Sequence, residues 1–239
     1  MSEFGNKGHS RRTFLKFVGA GAAAATIGFS AFGSQADSLT YGLAVPTSTY
    51  FGEAAEKAAR IAIEEINADG GVLGTPLDIV VEDSGGNGSQ ALLSVQALDS
   101  RGADFMGGFF FSEELIGAIP SFGVVRKLFM GTGASTPVAT IGVSNDYESN
   151  KFFFRLGPAN SFFILQAAIT YTIGLLERTL GWDGLVLLAE DAAWNTAITD
   201  NFGALLQANG SGLQVADVIR YPENTTDFTP FFNQAVASM

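Results

Sequence analysis

From residue 39 onward, short apolar runs alternate with longer stretches in which apolar residues recur every three or four positions. The first run, 39–45, reads as a strand that stops at Pro46, and Thr47, Ser48 and Thr49 then offer helix N-caps. In the next segment Ala55, Ala59, Ala62, Ile63 and Ile66 share one face, with Glu56, Lys57, Arg60, Glu64 and Glu65 largely on the other. This pattern predicts an amphipathic helix over about 51–68. Gly70-Gly71 ends the helix, and Pro76 blocks an early restart. The same rhythm predicts strands over 77–82, 103–108, 127–131 and 152–156. Helices are predicted to 101, capped by Asn87 or Ser89, and over 113–125 with a break near Pro120; a polar loop around Asn145-Asp146 follows 132–137. Beyond Pro158 the alternation restarts: helix 161–180, strand 184–189, helix 195–208, strand 213–221 and a helix over 227–237.

Strands that alternate with helices predict an α/β fold of parallel sheets flanked by helices on both faces. Right-handed crossovers place all strand carboxyl ends on one edge, and ligands bind there, where strand order reverses. The loops at 46–51, 83–89, 109–114, 132–137 and 190–195 are therefore the candidate site loops.

The first 36 residues change the picture. Ser10-Arg11-Arg12-Thr13-Phe14-Leu15-Lys16, followed by an uncharged alanine- and glycine-rich run over 17–36, resembles a twin-arginine export signal. Ser34-Gln35-Ala36 fits cleavage after Ala36, which predicts an extracytoplasmic, secreted or cell-surface chain; the competing reading is a retained anchor. The chain has a net charge of −11, and residues 1–36 hold Lys7, Arg11, Arg12 and Lys16 against Glu3, so the remainder carries −14. Such an acidic, lysine-poor surface suits high salt and a halophilic source, and it excludes the positive footprint that nucleic-acid binding requires. No later segment reads as a membrane span.

Catalytic constellations are missing. The one histidine, His9, lies in the signal and there is no cysteine, so the mature chain has no histidine triad, thiolate or histidine metal site. Residues 83–89 lack the P-loop lysine and the Gly-x-Gly-x-x-Gly fingerprint, and read as a turn. A secreted α/β hydrolase would need a Gly-x-Ser-x-Gly elbow, which does not occur. The pair Glu190-Asp191 has no spacing that marks it for acid–base work. These absences point away from an enzyme, a cofactor and a metal.

Tyr50-Phe51-Gly52 and an amphipathic helix lead into Glu65-Ile66-Asn67-Ala68-Asp69-Gly70-Gly71-Val72-Leu73-Gly74. This segment resembles the extracellular solute-binding proteins of branched-chain amino acid ABC transporters, the Leu/Ile/Val-binding family of the periplasmic-binding-protein type I class. Gly131-Thr132-Gly133-Ala134-Ser135-Thr136-Pro137 is similar to that family's small-residue loop after the fourth strand, and Phe154-Arg155-Leu156-Gly157-Pro158 to its crossing segment. Asp191-Ala192-Ala193-Trp194-Asn195 and Asp227-Phe228-Thr229-Pro230 resemble second-lobe motifs. The resemblance covers most of 39–237 and implies two lobes, 37–157 and 158–239, the second incomplete because family members continue well beyond this point.

The resemblance also implies a monomer that closes on a branched-chain or related amino acid, or an amide, and presents the closed form to a membrane permease; a receptor's sensor domain is the alternative. It points to Ser112 for the solute carboxylate, to a backbone carbonyl and a hydroxyl from Ala134, Ser135 and Thr136 for the ammonium, and to Phe51 and Trp194 as aromatics around the solute. Read alone, Ser112 and Asn160 are equally ordinary N-caps, the small residues at 134–136 suit a tight turn, and the aromatics suit packing. Glu113 and Glu114 depart from the family pattern: inside a cleft they would repel a ligand carboxylate and favour an amine.

Overall fold

The computed structural model describes residues 38–157 and 159–239; the expected export signal and its cleavage after Ala36 lie outside the described residues. Five parallel strands form the first sheet: β1 (Leu39–Val45), β2 (Leu77–Asp83), β3 (Phe105–Gly108), β4 (Phe129–Gly131) and β5 (Phe153–Arg155). They lie in the order β2-β1-β3-β4-β5, so chain progression reverses at β1 and leaves a crevice between the β1 and β3 ends. Ala44, Gly108, Gly131 and Arg155 sit side by side in register, which aligns four carboxyl ends in one row. A second parallel sheet pairs β6 (Gly184–Glu190) with β7 (Gln214–Tyr221), setting Glu190 beside Tyr221 at its own carboxyl edge.

The helices of the first sheet are α1 (Tyr50–Ala68), α2 (Gly88–Ser100), α3 (Ser112–Val125), α4 (Val138–Asn145) and α5 (Tyr147–Asn150). Those beside the second are α6 (Ser161–Tyr171), α7 (Ala193–Ala208) and α8 (Thr229–Ser238). Thr49, Asn87 and Asn160 cap α1, α2 and α6 with their side-chain oxygens. After α1 the Asn67 side chain plays the part of a strand neighbour. Its Nδ2 donates to the Leu77 carbonyl at 2.9 Å and its Oδ1 accepts from the Leu77 amide at 2.8 Å, which fixes the start of β2.

Three elements differ from the sequence pattern. Helix α3 runs through Pro120 without a break. Pro120 and Ile116 are both exposed, so the hydrogen bond that proline removes lies on the solvent side, where water can reach the orphaned carbonyl. The expected loop at 138–150 is two short helices, because Ala139 buries in the core and Asn150 ties them by donating to the Gly142 and Asp146 carbonyls at 3.3 and 2.9 Å. The expected helix 161–180 is α-helical only to Tyr171 and widens into a π-helical turn over Thr172–Glu177.

Each sheet has its own core. In the first, Phe109, Phe129, Phe122 and Phe153 form a chain of phenyl rings with centroid separations of 4.8, 4.9 and 5.6 Å. Burying one such ring contributes about 1.5–3 kcal/mol. Helices α2 and α3 meet backbone to backbone: a Cβ on Gly117 would lie 2.2 Å from Gly88 Cα. In the second core Leu165, Ile169, Ile198, Phe202, Leu206 and Leu213 pack α6 and α7 on β6 and β7. Among the described residues no helix is long and apolar enough to cross a membrane.

Candidate functional site

The loops that leave the strand ends meet at a cleft of about 420 Å³. From the first sheet come Phe51, Phe110, Phe111, Ser112, Gly133 and Ser135; from beyond residue 160 come Ile164, Glu190, Ala192, Trp194 and Glu223. Backbone geometry forces the turn after β3. Gly108 has φ +129° and Phe109 φ +62°, and the Phe109 amide donates to the Ala44 carbonyl at 2.9 Å. A bulky residue at positive φ is strained by about 1–3 kcal/mol. Burial of the Phe109 ring against Phe129 holds it there and swings the next two rings into the cleft. Phe110 stacks on Phe51 with centroids 4.1 Å apart and planes at 10°, and Phe111 meets Phe110 edge-on at 5.1 Å.

Of the six sequence-predicted residues, Phe51, Ser112, Ser135 and Trp194 line this cleft. Ala134 and Thr136 do not. Both are 2 % exposed beneath it, and the Arg155 guanidinium takes the Ala134 and Thr136 carbonyls. The Ser135 carbonyl accepts from the Ser161 amide at 2.8 Å, so the carbonyls of residues 134–136 are all engaged within the protein. Ser135 presents its hydroxyl to the cleft. The Arg155 Nε is buried without a partner, and burial lowers the guanidinium pKa. Ser112 is the first helical residue rather than a cap: its Oγ accepts from the Thr136 amide at 3.1 Å, which pins the 132–137 loop to α3.

Glu114 is the real cap of α3. Its Oε2 accepts from the Phe110 and Phe111 amides, both at 2.9 Å, and its Oε1 accepts from Ser84 Oγ at 2.5 Å and the Gly86 amide at 3.1 Å. It is fully buried, and burial pushes its carboxyl above the usual range against the pull of those four hydrogen bonds. Across the cleft, the Ala193 amide at the start of α7 donates to Glu113 Oε1 at 2.6 Å. Trp194 Nε1 donates to Glu190 Oε2 at 2.7 Å, and Ser161 Oγ lies 2.6 Å from the Trp194 carbonyl and 3.1 Å from that of Ser135. Glu223, in the loop after β7, has no hydrogen-bond partner among the described residues. Its carboxyl is pushed up by partial burial and then by the charges of Glu190, Glu113 and Glu114.

The whole described chain except its first few residues matches one family model, over residues 41–239, described as periplasmic binding protein. The chain belongs to the periplasmic binding protein family. No curated protein matches it by sequence. Among solved structures it is similar to the branched-chain amino acid transporter substrate-binding protein LivJ from Streptococcus pneumoniae, in complex with isoleucine. The two share 18% identity and a TM-score of 0.66 over 82% of this chain and 53% of that one. It is also similar to a leucine-binding protein, LivK, from Thermotoga maritima, with 16% identity and a TM-score of 0.65 over 84% of this chain and 53% of that one. A solute-binding protein of an ABC transporter from R. palustris, in complex with 4-hydroxybenzoate, has 19% identity and a TM-score of 0.65 over 84% and 52%. These likenesses establish the fold, two α/β sheets of the periplasmic-binding-protein type with the second only partly represented. The chain spans about half the length of each of these structures.

Sequence reasoning placed Phe110, Phe111 and Glu190 in candidate loops without giving them a role, and missed Glu223 altogether. Glu190 and Glu223 sit at or just past the ends of β6 and β7, so the strand-end rule that singled out Ser112 applies to them equally.

Glu114 makes a pH prediction. Its folded pKa is raised above the unfolded value, so the folded state binds its proton more tightly, and that contribution to stability is present below the unfolded pKa and lost as pH rises through the folded one. Thermal melts of the wild type and Glu114→Gln should therefore differ by a constant amount below about pH 4. The wild type should then lose ground relative to the variant as pH rises. A pH-independent difference would contradict the shift.

Proposed function

We propose that this protein is the extracytoplasmic solute-binding component of an ABC importer. It would hold a branched-chain or related amino acid, or an amide or amine of similar size, in the cleft and present the closed form to a membrane permease. The observation that carries this reading is convergence: Phe51, Ser112 and Ser135 from one sheet and Glu190, Trp194 and Glu223 from the other face one cavity. Aromatic faces supply apolar contact and a few polar groups supply orientation, the composition expected of a small-molecule site. Family membership and the resemblance of the first residues to an export signal support an extracytoplasmic role. Closure is then a population shift driven by contacts to both walls.

Two tryptophans make this testable. Trp194 lines the cleft and Trp182 is half exposed elsewhere. A bound solute should raise the melting temperature and change the indole emission. Trp194→Phe should remove that change and weaken binding about tenfold, a loss of about 1.4 kcal/mol, whereas Trp182→Phe should preserve both. A panel of amino acids, amides, amines and aromatic acids that leaves stability and emission unchanged would overturn the proposal.

A further inference from the structure

The cleft's charge distribution narrows the ligand class, on the reading that this cleft is the solute site. A zwitterionic amino acid needs a place for its carboxylate, and the usual place is the positive end of a helix. Four helices begin around this cleft. α1 and α6 are capped by the neutral side-chain oxygens of Thr49 and Asn160, and the positive ends of α3 and α7 are faced by the chain's own carboxylates. Glu114 accepts from the Phe110 and Phe111 amides at the start of α3, at 2.9 Å each, and Glu113 accepts from the first amide of α7 at 2.6 Å. An anionic ligand group at either end would stand beside a resident negative charge. Among the described residues that line the cavity none is lysine, arginine or histidine, and its charged members are Glu190 and Glu223. No ion pair among the described residues involves Glu113, Glu114, Glu190 or Glu223.

The remaining walls suit a cation. Phe51, Phe110, Phe111 and Trp194 line the same space, and the negative faces of such rings attract ammonium groups. The hydrogen bond from Trp194 Nε1 to Glu190 Oε2, 2.7 Å, leaves the other Glu190 oxygen without a partner among the described residues. Glu223 offers both of its own. Phe51, Phe110 and Gly133 also border a second, largely apolar cavity of about 390 Å³ with Val45, Ala54 and Ala55, so the stacked pair stands between a charged space and an apolar one. We infer that the cleft selects an organic ammonium ion without a carboxylate, an amine with an aliphatic or aromatic body, over the amino acid of the same side chain.

Matched pairs test this directly. Titration calorimetry on the purified protein would compare 3-methylbutylamine with leucine, and 2-phenylethylamine with phenylalanine, since each pair differs by one carboxylate. The amine is expected to bind at least tenfold tighter in each pair. Glu223→Gln should weaken the amine about tenfold and leave the amino acid unchanged or tighter; the side chain is exposed and unpartnered, so the variant should fold as the wild type does. Glu190→Gln should act in the same direction. Equal or tighter binding of leucine or phenylalanine, or amine binding indifferent to both substitutions, would overturn the inference and leave the solute-binding reading standing. If amino acids, amines and aromatic acids all fail to bind, both fall together.

Discussion

Glu114→Ala is expected to lower the unfolding free energy by about 3–5 kcal/mol, the range for removing one member of a buried, fully engaged charged network. The side chain is fully buried and satisfies four donors: the Ser84 hydroxyl and the Gly86, Phe110 and Phe111 amides. Alanine removes every acceptor at once. Each stranded donor adds its own desolvation cost, so the loss exceeds that of an ordinary surface cap, which is about 1 kcal/mol. Denaturant titration followed by far-UV circular dichroism would measure it. The isosteric Glu114→Gln keeps acceptor capacity on one side only and should fall between alanine and wild type at neutral pH. A loss below about 1 kcal/mol for alanine would show that the network does not hold the loop.

Gly108→Ala is expected to be nearly as severe, at about 3 kcal/mol, and to abolish solute binding in whatever protein still folds. Two independent penalties add here. The residue has φ +129°, a conformation that costs an L-residue about 1–2 kcal/mol. A Cβ would also lie 2.0 Å from the Ala44 carbonyl oxygen, a backbone atom fixed in the interior strand β1, and such overpacking costs about 1–3 kcal/mol more. Relief requires β3 to move away from β1, which drags Phe109 out of the ring stack and Phe110, Phe111 and Ser112 out of the cleft. A binding isotherm and a denaturation curve together separate this from a local effect. A variant of wild-type stability that binds normally would show that the turn has slack the geometry denies.

Much of this fold was legible in the chain because its signals are local. Short apolar runs marked all seven strands of the described residues, and Thr49, Asn87 and Asn160 cap helices through atoms two or three residues away. Pro120 misled because a proline's effect depends on whether water can reach the carbonyl it orphans, a property of the folded surface. The helices over 138–150 were hidden because their apolar face is short and their tie is one asparagine. At the site, strand-end position and the family resemblance together pointed to Phe51, Ser112, Ser135 and Trp194, and all four line the cleft. The same rule overreached at Ala134 and Thr136: adjacent loop residues alternate in direction, and Arg155, brought alongside by the register of β4 and β5, claims their carbonyls. Glu113 acts on an amide 80 residues away, and Glu114 joins a local cap at Phe110 and Phe111 to Ser84, 30 residues back, links that no window along the chain can register.

A hydroxyl has one proton to give. Ser161 sets its own between two carbonyls, Trp194 on one wall of the cleft and Ser135 on the other, and leans toward the former. Ser161 and Trp194 belong to the same wall, so drawing the walls apart would remove the longer contact alone and leave the hydroxyl a full partner. At this point the seam could open without stranding a buried donor.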